Sequence, residues 1–176
     1  MRILVDADAC PAKHIIEEVA ENFNKELIFY CDLNHVISPS YGEVKYMDSG
    51  FQSVDMKIAN DTKEKDIIVT QDYGVAAMVL GKGAYAINPK GYIYTDENID
   101  KLLFERHISS KVRRGGGKTS NPKKRKDEDD ERLYKNLLKL VKEYDNLANG
   151  ELTMDNWQLR LELFLGKIIS LNRFLN

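Results

Sequence analysis

The chain has 176 residues, of which 43% are apolar and 31% charged, and a net charge of −2. That length supports one main domain with a small appendage, large enough to bury a core. The totals exclude a disordered chain, a wholly basic nucleic-acid binder and, in the absence of any long apolar run, a membrane protein.

Residues 2–5 read as a first strand that ends in two carboxylates, Asp6 and Asp8. A helix is expected over 12–23, where Ile15, Ile16, Val19, Ala20 and Phe23 share one stripe and Pro11 suits the first turn. A short strand over 27–30 and a loop over 34–42 follow, then a strand over 44–47 and a helix over 53–63. Ile67, Ile68 and Val69 run together without alternation, the mark of a strand buried on both faces. Further on come a helix over 73–80, a strand over 85–87 and a helix over 96–106 entered through Thr95 or Asp96.

Strands alternating with helices predict an α/β fold of three layers, with a short, mainly parallel sheet covered on both faces. The pattern assigns residues 1–106 to the α/β core. Residues 107–126 carry eight Lys or Arg, no acid, three consecutive glycines and Pro122, and read as a flexible basic loop. Residues 127–176 read as a helical extension. Its first helix starts on acids, which the helix dipole favours, and carries Leu133, Leu137, Leu138, Leu140, Val141 and Tyr144 on one face. A last amphipathic helix over 155–174, with Trp157, Leu161, Phe164 and Ile168, is expected to pack on the core or on a partner.

In a parallel sheet all strand C-termini reach one edge, so Asp6, Asp8 and Asp72 are expected to converge there, with Asp55 in the first turn of a nearby helix. Two acids one residue apart repel each other unless a cation or a proton intervenes. Clustered carboxylates suit Mg²⁺ or Mn²⁺, which prefer oxygen ligands and stabilise phosphoryl transition states. Thr70 is placed to hydrogen-bond such a site or to serve as an ordinary strand-end residue, and Asp55 and Asp96 are equally suited to cap helices. Lys90, in an Asn-Pro-Lys-Gly turn, is a candidate phosphate contact or a solvated turn lysine. Lys111, Arg113, Arg114 and Lys118 suit a nucleic-acid backbone, or a solvated linker that pairs with the acids at 127–131. The run Gly115-Gly116-Gly117-Lys118-Thr119 is not a phosphate-binding loop, because Val112 stands where that pattern needs glycine. Cys10 sits at a helix start without a recognisable base and reads as a small buried residue. No secretion signal is visible, so Cys10 and Cys31 are expected as reduced thiols in a cytoplasm.

Several of these segments, taken in order, resemble a known group. Asp-Ala-Asp-Ala-Cys-Pro at 6–11, Gly-x4-Asp at 50–55, Val-Thr-Gln-Asp at 69–72, Leu-Gly-Lys-Gly-Ala at 80–84, Asn-Pro-Lys-Gly at 88–91 and Tyr-Thr-x-x-Asn-Ile at 94–99 are similar to the YaiI/YqxD family. Arg-Arg-Gly-Gly-Gly-Lys-Thr at 113–119 and Asn-Pro-Lys-Lys-Arg at 121–125 resemble its Bacillus-type branch. The resemblance spans residues 1–147 and implies a PIN-like domain, the fold of metal-dependent nucleases. It carries the acidic positions onto Asp6, Asp8, Asp55 and Asp72, with Gln52 where many relatives have an acid.

The resulting expectation is a Mg²⁺- or Mn²⁺-dependent phosphodiesterase acting on single-stranded RNA, compatible with a homo-oligomer. Two alternatives stand beside it. One is a haloacid-dehalogenase-like phosphatase with Asp6 as nucleophile and Asp8 as acid/base. The other is an inactive module that binds RNA or protein.

Overall fold

The computed structural model describes residues 1–8, 10–47, 54–118 and 124–149, with side chains to residue 145. Gln52 and the helix expected over 155–174 lie outside the described residues. In chain order the elements are β1 (Arg2–Asp6), α1 (Lys13–Asn22), β2 (Glu26–Asp32), β3 (Glu43–Met47), α2 (Val54–Asp61), β4 (Ile67–Val69), α3 (Tyr73–Leu80), β5 (Tyr85–Ile87), β6 (Ile93–Tyr94), α4 (Asp96–Arg114) and α5 (Asp127–Asn149).

The strands form one sheet in the order β3-β2-β1-β4-β5-β6. All neighbours pair in parallel except β5 and β6. The expected α/β class, with a short and mainly parallel sheet between helical layers, is therefore the fold of the chain. The antiparallel β6 was not anticipated. It has two residues, too few to show a period.

Alternation along β1 divides the core. Ile3 and Val5 face a cluster built with α1 and α5, while Leu4 faces one built with α2, α3 and α4. Each fully buried aliphatic side chain here contributes about 1.5–3 kcal/mol of transfer free energy. The N-terminal end of β1 is tied down by Arg2, whose Nη2 donates to Asp66 Oδ2 at 2.6 Å and to the Asp61 carbonyl at 2.8 Å.

Two boundaries differ from the sequence expectation. Residues 107–114 are helix rather than loop: α4 runs to Arg114 and ends at Gly115, with Gly116 at φ +78°. Nothing between Arg106 and Gly115 breaks a helix, and Lys111, Arg113 and Arg114 in its last turn complement the dipole. Second, α5 belongs to the core. Leu133, Tyr134, Leu137, Leu138, Leu140 and Val141 are buried against β1, β2 and α1.

The Asn-Pro-Lys-Gly turn fixes where α5 begins. Three successive carbonyls of that turn accept from side chains just before and within α5: Pro89 from Arg125 at 2.8 Å, Lys90 from Arg132 at 2.8 Å, and Gly91 from Asn136 at 2.7 Å. Arg132 also lies 4.1 Å from the centroid of the Tyr92 ring, a cation–π contact. Gly91 sits at φ +83°, and a Cβ there would fall on the backbone of Arg132 and Leu133. Only glycine allows both the dihedral and the approach.

Candidate active site at the C-terminal edge of the sheet

The strand order reverses at β1. The chain first builds outward through β2 and β3, then returns to the other side of β1 with β4 and β5. Crevices at such reversals, beyond the strand C-termini, are where α/β sheets bind ligands. Side-chain parity determines what enters this one. Asp6 lies two residues after Leu4, and Thr70 two residues after Ile68, so both lean toward the α2–α3–α4 layer. The pairing of Val5 with Val69 brings Asp6 and Thr70 side by side just past the ladder.

Thr70 is fully buried and links two acids. Its hydroxyl donates to Asp6 Oδ2 over a long 3.3 Å and accepts from the Asp72 amide at 3.0 Å. Asp72 caps α3: its Oδ1 accepts from the amides of Gly74 at 2.6 Å and Val75 at 3.1 Å. Its other oxygen, Oδ2, accepts from Arg106 Nη1 at 2.7 Å. Asp55 enters from the first turn of α2.

Asp6, Asp55, Gln71, Asp72, Tyr73 and Arg106 line one open pocket of about 400 Å³. Three of the four expected acids, drawn from three separate segments, thus meet. Asp8 does not line it. The strand has ended by then, and the Asp8 carboxylate turns to the β2 side, accepting from the Asp32 amide at 3.1 Å with His35 Nδ1 at 3.6 Å. The expected convergence of Asp8 with Asp6 and Asp72 is thus corrected.

The pocket's electrostatics follow from its mixture of charges. Burial pushes the Asp55 carboxyl above its usual range, and the nearby Asp72 charge adds to that, with Arg106 opposing. Burial acts on Asp72 in the same sense. The Arg106 hydrogen bond, the Val75 and Gly74 amides and the Arg106 charge outweigh it, so Asp72 sits below its usual range. The Arg106 side chain is 51% exposed, and ion pairs so open to water contribute roughly 0–1 kcal/mol.

The expected basic residues lie elsewhere. Lys111, Arg113 and Arg114 are exposed on the last turn of α4, Lys118 is exposed beyond it, and Lys90 is half-buried in its turn. None lines the pocket. Arg125, from the same basic tract, pairs with Asp130 and holds the Pro89 carbonyl. Cys10 is buried as expected, and burial pushes its thiol up to about 11.

Gln71, Tyr73 and Arg106 are the pocket residues that sequence reasoning missed. Arg106 had a signal: it continues the stripe of Ile99, Leu102 and Leu103 at helical spacing, a charge where an apolar residue is expected.

The residues suit a hard cation in part. The donors are all oxygens, and Mg²⁺ commonly uses one or two carboxylates and keeps its waters. Yet among the described residues no three His, Cys, Asp or Glu side chains stand together closely enough to share an ion. The position beside Asp72 Oδ2 is taken by the Arg106 guanidinium. A two-carboxylate site, filled by water or a phosphate oxygen, is what this donor set accommodates.

The fold and crevice define an α/β protein with an acidic pocket at its strand-order reversal. The family is known. A family model described as "Uncharacterized BCR, YaiI/YqxD family" matches residues 4–143, and the chain belongs to that family. It is 67% identical over 141 residues to a UPF0178 protein of Clostridium tetani, covering 80% of this chain and 97% of that one. It is 64% identical over 149 residues to a UPF0178 protein of Clostridium novyi, covering 85% of this chain and 100% of that one. Among solved structures, Rae1 (YacP) of Bacillus subtilis aligns with a TM-score of 0.40 at 17% identity, over 66% of this chain and 84% of that one. No helix among the described residues is long and apolar enough to cross a membrane.

Proposed function

We infer that the chain is a Mg²⁺- or Mn²⁺-dependent phosphodiesterase acting on single-stranded RNA. The observation that carries this reading is the meeting of Asp6, Asp55 and Asp72 in one open pocket at the switch point of the sheet. Asp6 and Asp72 would hold the ion, with Asp55 as the group that orients the attacking water. A bound ion would polarise the scissile phosphate and stabilise the leaving oxygen.

The chain's own residues prepare that site. Thr70 holds Asp6 and the Asp72 amide in register. The α3 amides pin Asp72 Oδ1, so that only Oδ2 faces a cation. Burial of Asp55 raises its carboxyl above the usual range, which suits it to take a proton from water. Lys111, Arg113, Arg114 and Lys118 would hold the flanking strand, outside the pocket.

The test is cleavage of a labelled single-stranded RNA by the wild type and by Asp6→Asn, with Mn²⁺ or Mg²⁺ and with chelator. Metal-dependent cleavage that the variant loses while it melts normally supports the reading. Equal activity in both proteins, or none in either, refutes it. In the second case RNA retention without cleavage identifies a binding module.

A further inference from the structure

Arg106 is the one cation among the described residues that line the pocket, and it comes from α4 rather than from an acid-bearing segment. It holds Asp72 by Oδ2, the same oxygen that a divalent ion would use, because Oδ1 is committed to the Gly74 and Val75 amides. Arginine and metal ion therefore compete for one atom. The guanidinium is half in water, so leaving Asp72 costs it little. A phosphate offers it a better partner, since guanidinium–phosphate hydrogen bonds are charge-assisted and can form in parallel pairs.

We propose that Arg106 is a phosphate-positioning residue which Asp72 holds in place until a divalent ion displaces it. Asp72 Oδ2 would hold such an ion, and the released guanidinium would bind a non-bridging oxygen of the RNA phosphate that enters the pocket. The proposal rests on the phosphodiesterase reading and adds to it the residue that recognises the substrate's charge. The path of α4 agrees with it. Arg113 lies seven residues on, on the same helix face, about 10 Å along the axis at 1.5 Å per residue. A strand leaving the pocket along α4 would next meet that side chain.

Arg106→Ala gives two readouts of opposite sign. Mn²⁺ binding without RNA, measured by calorimetry, is expected to tighten several-fold, because the competitor for Asp72 is gone. Binding of a fluorescent single-stranded RNA, measured by anisotropy in Ca²⁺, is expected to weaken about 10-fold or more, as for a lost charged hydrogen bond. Arg106→Lys should recover part of the RNA affinity. A purely structural ion pair would move both readouts the same way or neither. If either readout stays at the wild-type value, the proposal is overturned while the phosphodiesterase reading stands. If wild type binds no RNA, both fall.

Discussion

Arg106 Nη1 stands 2.7 Å from Asp72 Oδ2, although 34 residues separate the two. The contact joins α4 to the cap of α3 and places a positive charge among carboxylates. Asp72 thereby has two duties, one for each oxygen, and these can be separated by mutation.

Asp72→Ala should lose the cap and cost about 0.5–2 kcal/mol, whereas Asp72→Asn keeps a capping oxygen and should lose only a few tenths. Both should abolish metal-dependent cleavage. Because the folded-state pKa of Asp72 is depressed, its charge stabilises the fold above its ordinary value of 3.8 and ceases to do so as pH falls through the folded value. Thermal melts from pH 7 down should show the gap between wild type and Asp72→Asn closing in acid. A deficit independent of pH contradicts the assignment.

Asp55 has the opposite sign. Its folded-state pKa is raised above 3.8, so the folded chain takes the proton more readily than the unfolded one. Above that range the ionised group costs stability, and the cost fades as pH falls. In chelator, Asp55→Asn should melt above wild type at pH 7, and the two should converge below pH 4. Added Mn²⁺ should reverse the order by stabilising the wild type. A lower melting temperature for the variant at pH 7 in chelator would be the wrong sign.

Asp6→Asn preserves shape in a buried position and leaves Thr70 an acceptor. Cleavage should fall by roughly 100-fold or more, since even outer-sphere partners of a metal cost 10–100-fold when lost. The melting temperature in chelator should change little. A large loss of stability would reassign Asp6 to the core.

Gly91→Ala should destabilise by roughly 2–4 kcal/mol, combining a left-handed dihedral with a clash against the α5 backbone. In a chain of this size that lowers the melting temperature by about 4–16 °C. A neutral result would mean that α5 can withdraw from the turn without cost.

Much of this architecture was legible in the residues. The unbroken run Ile67-Ile68-Val69 marked the central strand, and acids at strand ends marked the edge where the pocket lies. Asp8 departs from the expectation because, two residues past the end of β1, its side chain is no longer governed by strand parity. Residues 107–114 depart from the expectation because charge composition suggests a loop there, whereas helix propensity up to Gly115 decides the conformation. Arg106 was missed because its partner lies on another element, and a single charge on an apolar stripe is a weak signal alone.

The placement of α5 bears on synthesis. Ile3, Val5, Ile15, Ile16 and Val19 are covered by side chains as late as Val141. Before that helix leaves the ribosome, this side of the sheet has α1 as its only cover, and the apolar surface that α5 will bury is open to chaperones and to other nascent chains. The protein therefore completes its fold late, with the N-terminal strand that supplies Asp6 waiting on nearly the last described segment.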